Sequence, residues 1–187
     1  MKKFFALLLS AIMLLGLLAG CSADKEEEEE EEAPYEAALR TLMDALCKGK
    51  SDKVADLAPK AYWDYADDYM YMDEKDAEEK IEERWEYNDE FYKEQYGKDY
   101  KFTYKIKKAT KLKSDELTEI QEAIEEKYKF SPKVKAAYKL EIKATIKGSE
   151  GSDESEATYT AIQIDGKWYI VNVYDNGDSL RVFFPFG

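Results

Sequence analysis

The chain has 187 residues, enough for one folded domain, and carries 41 acidic against 28 basic side chains for a net charge of −13. That acidity argues against nucleic acid as a partner and against adhesion to an anionic lipid surface. Histidine is absent, which removes Ser-His-Asp and Cys-His catalysis together with every metal site built on imidazole.

At the N-terminus Lys2 and Lys3 precede an apolar run, Phe4 to Leu18, that ends in Leu18-Ala19-Gly20-Cys21. A charged start, an apolar core and small residues before the cleavage point are the parts of a secretory signal. Their order resembles the lipobox of bacterial lipoproteins. The resemblance implies that residues 1–20 are a signal peptide, that Cys21 is lipidated by diacylglyceryl transfer, and that cleavage leaves it as the new N-terminus. An ordinary signal peptide or an uncleaved anchor is the alternative. Two acyl chains on one residue give stable anchoring where one gives marginal binding. The implied location is the extracytoplasmic face of a bacterial cell membrane, with the lipid on Cys21 as the membrane contact. Without Lys2 and Lys3 the remaining chain carries −15.

Residues 21–33 read as the lipidated cysteine and an acidic tether. Seven consecutive glutamates, Glu26 to Glu32, repel one another and have nothing apolar to bury. The twelve residues after Cys21 reach about 40 Å when extended, enough to lift a domain clear of the headgroups. With Cys21 consumed, Cys47 stands alone, so no intramolecular disulfide is expected. Its place near the end of an apolar helical pattern points to a buried, inert thiol.

The single domain spans 34–187. Pro34 opens a helix whose apolar residues Tyr35, Ala38, Leu39, Leu42, Met43 and Leu46 recur at helical spacing, with Gly49 as its stop. Ser51 is placed to cap a short second helix through Leu57, closed before Pro59. The stretch from Ala61 to Met72 continues as helix. Asp73 caps the longest helix, 74–96, with Ala77, Ile81, Trp85, Asn88 and Phe91 or Tyr92 on its inner face and Gly97 at its end. The period then changes to two: Tyr100, Phe102, Tyr104 and Ile106 alternate with lysine and threonine. Ser114 or Asp115 opens a further helix with the stripe Leu117, Ile120, Ile124 and Tyr128. Three antiparallel strands follow over 133–174, the first with apolar residues on even positions from Val134 to Ile146 and lysines on most odd ones. Asp165-Gly166 marks a tight hairpin. In the strand before it Ala157, Tyr159 and Ala161 are odd while Ile162 and Ile164 are even, which calls for a bulge near Ala161 or Ile162. A last short strand, Leu180 to Phe184, adds at an edge. The order predicts an α+β fold: N-terminal helices packed on a curved antiparallel sheet of about four strands, cone-like, with one helix between the first and second strands.

The run of helices, the Gly49-Lys50-Ser51 break and the final hairpin Ile164-Asp165-Gly166-Lys167-Trp168-Tyr169 resemble the nuclear-transport-factor-two-like superfamily. The whole of 34–174 is similar to small domains of unknown function on lipoproteins of Gram-positive bacteria. The resemblance implies a cone whose sheet and helices enclose a cavity, used by some relatives for isomerase, dehydratase or cyclase chemistry and by others for binding or assembly only.

Two stretches are candidate sites. The first is Tyr62, Trp63, Asp64, Tyr65, Asp67, Asp68 and Tyr69. Rigid aromatics with aspartates suit a binding lip for a cation or sugar hydroxyls, while the helical spacing also suits aromatics that cover the sheet with the acids in water. The second is a lysine face, Lys101, Lys105, Lys107, Lys135, Lys139 and Lys143. It suits an anionic wall polymer, or simply a solvated face with edge protection. Asp175, Asn176 and Asp178 are hard oxygen ligands for calcium or ordinary turn residues. No catalytic set, cofactor or metal site is called for. The sequence reading is a non-catalytic binding or assembly module with a cell-wall or envelope-protein partner. Its alternatives are a small-molecule enzyme using a buried carboxylate such as Asp64, Asp67 or Asp68 opposite Tyr138 or Tyr159, and a structural partner of a membrane complex.

Overall fold

The computed structural model describes residues 33–173 and 180–181. The readings on the signal peptide, Cys21, the tether, the 175–178 loop and residues 182–184 lie outside the described residues. The elements run α1 (Pro34–Lys48), a 3-10 turn (Val54–Leu57), α2 (Lys60–Met70), α3 (Glu74–Tyr96), β1 (Lys101–Lys111), α4 (Ser114–Tyr128), β2 (Val134–Lys147), β3 (Ser152–Ile164), β4 (Lys167–Val173) and β5 (Leu180–Arg181). The strands form one sheet in the order β1-β2-β3-β4-β5, and every neighbouring pair is antiparallel. The fold is α+β with α4 between the first and second strands, consistent with a cone-like architecture. No helix among the described residues is long and apolar enough to cross a membrane.

Local chemistry explains most element ends. Gly49 closes α1 in the left-handed region at φ 62° and donates its N–H to the Asp44 carbonyl. Asp73 and Asp76 form a reciprocal capping box on α3: the Asp76 N–H donates to Asp73 Oδ1 at 2.9 Å, and the Asp73 N–H donates to Asp76 Oδ2 at 3.1 Å. Asp165 and Gly166 take φ 50° and 84°, the positive pair that a two-residue hairpin needs.

One expected cap is different. The Ser51 side chain caps nothing; its hydroxyl donates to Glu82 Oε1 at 2.6 Å and ties the turn after α1 to α3. α4 opens at Ser114, as the sequence places it, and the Lys113 N–H just before it donates to Glu116 Oε2 at 2.8 Å. A glutamate three residues on thus satisfies a backbone donor at the helix start.

The core packs α1 (Leu39, Leu42, Met43, Ala45), α2 (Tyr62, Trp63, Ala66), the start of α3 (Ala77, Ile81) and α4 (Ile120, Ile124, Tyr128) with the sheet. α3 leaves the core after Ile81: Trp85 and Tyr92 are half-buried and Phe91 is exposed. Tyr35 of α1 meets Tyr138 of β2 and Trp168 of β4 at ring-centroid distances of 4.8 and 5.9 Å. That contact fixes the helix against one face of the sheet.

The sheet departs from the expectation of one apolar and one wet face. Directly paired residues share a face. On the first face stand Phe102 with Ile146, Ile106 with Ile142 and Ala157, Leu140 with Tyr159, and Tyr138 with Ala161 and Ile170. On the second, Ala137, Ile162 and Tyr169 are paired in a row and are buried, as is Val171 opposite Thr160. The second face is therefore wet only over the half that holds Lys139 to Lys147 and is covered at its other end. This overturns the bulge near Ala161 or Ile162. The register runs unbroken there, and both parities are apolar because both faces are buried. The register shifts fall instead between Ile106 and Lys108 and between Val134 and Ala136, so the extra residues are Lys107 and Lys135.

Cys47 is a free thiol at the end of α1, and burial pushes it from its ordinary 9.0 to about 12. Burial also raises the Tyr62 phenol. A group whose pKa is higher folded than unfolded stabilises fully below the unfolded value and loses that contribution as pH rises toward the folded one. The stability curve is accordingly expected to stay level below pH 9 on this account and to fall between pH 9 and about 12. Cys47 is half-buried and little of it is thiolate at pH 8, so it should react with an aromatic disulfide reagent far more slowly than in the unfolded chain. Rapid native-state labelling would contradict the burial.

Candidate functional site

The tyrosine-acid stretch is α2 and its C-terminal exit. Tyr62 and Trp63 are core side chains, 2% and 4% exposed. Tyr62 meets Tyr128 of α4 edge-on at 5.2 Å, and the Trp63 indole N–H donates to the Ala55 carbonyl at 3.3 Å. Two adjacent buried aromatics are possible because α2 is held between the 3-10 turn and α4. Tyr62 is closed off from solvent, and Trp63 keeps only a sliver of surface, in an open pocket it shares with Asp64 and Asp67. Tyr65 is half-buried against Tyr128 and stacks on Tyr69 at 4.8 Å. Asp64, Asp67 and Asp68 are exposed, and Asp64 is paired with Lys60 one turn before it. Tyr69, expected to cover the sheet, is exposed, as are Met70 and Tyr71. The Tyr71 left-handed cap at φ 51° turns the chain out of the helix there. The stretch thus divides into a buried half and a solvated half. No carboxylate of it is desolvated.

The lysine face is more coherent. β1 carries five lysines and no acid. Register places Lys101 directly opposite Lys147 and Lys105 directly opposite Lys143. Lys139 stands between Thr110 and Thr160 on the same face. Part of the charge is matched: Lys143 pairs with Glu154 at 2.8 Å, Lys107 with Glu156 at 2.6 Å and Lys108 with Glu141 at 3.5 Å. Lys101, Lys105, Lys139 and Lys147 form no ion pair among the described residues. The Lys107 partner holds the Glu156 carboxyl below the usual carboxylate range.

Lys135 is not part of this patch. It occupies the bulge at the far end of β2, twelve residues from Lys147, or about 40 Å of strand. Sequence alternation alone could not separate the two ends, because a bulge is invisible in a lysine-alanine pattern. Lys147 and Lys108 belong to the patch and were outside the candidate set. The strand period signals Lys147. Lys108 joins only because the Lys107 bulge shifts it.

Comparison with family models, with curated proteins and with solved structures gives no match.

Proposed function

We propose that this is a lipid-anchored envelope protein on the extracytoplasmic face of a bacterial membrane, tethered through Cys21, whose α+β domain is a non-catalytic module that binds an anionic cell-wall polymer along the lysine face of β1 and β2. The observation that carries the reading is the register of lysines, Lys101 opposite Lys147 and Lys105 opposite Lys143, of which only Lys143 has an acidic partner. Ammonium groups directly across a strand pair repel and destabilise the sheet. A polyanion laid across them replaces the Lys101–Lys147 repulsion with two attractions and gives Lys105 the partner it lacks, Lys143 being matched by Glu154. The two pairs repeat about 14 Å apart along the strands, a spacing that a chain of regularly placed charges can follow.

The net charge of −13 does not oppose this. The acid is concentrated elsewhere: α3 alone holds ten acidic against four basic side chains. At physiological ionic strength such charges are screened beyond about 8 Å. The carboxylates Asp64, Asp67 and Asp68 stand in water. A general base in a small-molecule enzyme of this kind would need burial to raise its pKa, so their exposure supports binding rather than catalysis.

The test uses the full chain in detergent with inorganic polyphosphate as the probe, titrated over a salt series. Lys101→Gln with Lys105→Gln should weaken binding at least about tenfold and lower the salt slope by about one per lysine removed. Lys75→Gln, on the exposed side of α3, should do neither. Cys21→Ser should move the protein from the membrane to the soluble fraction without changing polymer affinity. Equal binding by the Lys101/Lys105 variant, or binding insensitive to salt, would sink the polymer reading.

A further inference from the structure

On the face of the sheet opposite the lysines, a cleft of about 160 Å³ lies between the end of α3 and the far end of the sheet. Its aromatic walls are Tyr92 and Tyr96 of α3 and Phe102 of β1; its floor is Ala144 and Ile146 of β2; its rim is Asp153 to Ser155 of β3. The register explains the rim. Phe102, Ile146 and Asp153 stand in one row across three strands, and Ala144 and Ser155 in the next. The Glu154 side chain is on the other face, where it meets Lys143. One carboxylate, Asp153, therefore shares the face of the aromatic walls. Asp153 is exposed, lines the cleft, and accepts the Glu154 N–H on Oδ1 at 2.7 Å.

The walls are held in place before any ligand arrives. Tyr92 packs on Tyr96 and Tyr100 at 6.1 and 5.7 Å. Tyr100 in turn donates its hydroxyl to Asp89 Oδ1 at 2.7 Å. The β2–β3 turn is bonded to the end of α3 through Glu150 N–H to the Tyr96 carbonyl at 3.1 Å. No lysine or arginine among the described residues lines the cleft, so an anion finds no partner among them. A wholly apolar ligand would leave the carboxylate unused. Aromatic faces around a small space with one carboxylate at the mouth suit a compact organic cation, which gains from ring quadrupoles and from the acid at once.

We propose that this cleft binds an alkylammonium group, with Tyr92, Tyr96 and Phe102 around the cation and Asp153 as its counter-ion. The site is independent of the lysine face: it uses other residues on the other side of the sheet.

Isothermal titration of the full chain with choline chloride tests it. The comparators are 3,3-dimethylbutan-1-ol, the neutral isostere of choline, and glucose. Choline should bind, and the neutral alcohol at least about tenfold more weakly. Asp153→Asn and Tyr96→Leu should each weaken choline about tenfold. Asp153 is exposed, so its variant is expected to fold and keeps the test valid should Tyr96→Leu not. Phosphatidylcholine vesicles separate the sources of the group: retention on them assigns the cation to a lipid headgroup, and choline binding without retention assigns it to a soluble amine. The proposal falls if the alcohol binds as well as choline, if glucose binds and choline does not, if Asp153→Asn retains full affinity, or if no titrant binds.

Discussion

Gly148→Ala is expected to destabilise the domain by about 3 kcal/mol and to loosen the β2–β3 turn from α3. A Cβ at this position would stand 2.0 Å from the Tyr96 carbonyl oxygen, 2.9 Å from its carbon and 3.1 Å from Tyr100 Cα. All three are backbone atoms of the α3–β1 connection, so no rotamer change relieves the contact. Either the turn moves away or the helix end unwinds. Moving the turn breaks the Glu150 N–H bond to the Tyr96 carbonyl at 3.1 Å. It also strains the two bonds that Asp99 Oδ1 accepts from Ser149, at 3.0 Å from the amide and 2.6 Å from the hydroxyl. Overpacking costs about 1–3 kcal/mol, and each lost hydrogen bond adds about 1 kcal/mol. Gly151→Ala in the same turn is the control: its Cβ would meet its nearest neighbours at 3.6 Å, ordinary contact, and should shift stability by no more than about 0.5 kcal/mol. Urea unfolding reads the difference as a lowered midpoint with an unchanged slope. Equal midpoints for the two variants would mean that the turn is not held against α3 as described.

The features legible in the sequence were those set by local chemistry. The Asp73 cap, the Gly49 stop and the Asp165-Gly166 turn each need only neighbours within a few residues, and the structure places each where the sequence does. The period of two in Phe102, Tyr104 and Ile106 marks β1 for the same reason. What stayed illegible depends on contacts between distant segments. Trp63 reads as surface beside Tyr62, and only the 3-10 turn, whose Ala55 carbonyl takes its indole N–H, makes it core. The change of parity at Ala161 and Ile162 has two physical causes with one signature. A bulge turns the strand over, and a second covering layer buries both faces; an apolar string cannot tell them apart. The lysine face was readable as a period, but its cross-strand pairing of Lys101 with Lys147 and Lys105 with Lys143 depends on register. The cleft was not readable at all. Its residues come from α3, β1, β2 and β3, and nothing in Tyr92, Phe102 or Asp153 alone distinguishes a wall from filler.

Two-sided burial is open to a matched test within one strand. Ile162 and Thr158 lie on the same face of β3, four residues apart. Ile162 is 0% exposed between Ala137 and Tyr169, whereas Thr158 is exposed opposite Glu141. Ile162→Ala should cost about 3 kcal/mol, the lost transfer energy plus the cavity that remains. Thr158→Ala should cost under about 1 kcal/mol, the spread of strand propensity alone. Equal small costs would restore the sheet with one wet face along its whole length, and with it a bulge at 161 or 162. The contrast also bounds the polymer site. The row of Thr110, Lys139 and Thr160 is where the face changes character, because Thr160 is already buried at 6% exposure. A polymer along β1 and β2 therefore has the stretch from Lys139 to Lys147 and no more, about 27 Å of strand. That length takes in both like-charge pairs and excludes Lys135. Substituting Lys135 should consequently leave polyphosphate affinity where it was, while Lys101 and Lys105 carry it.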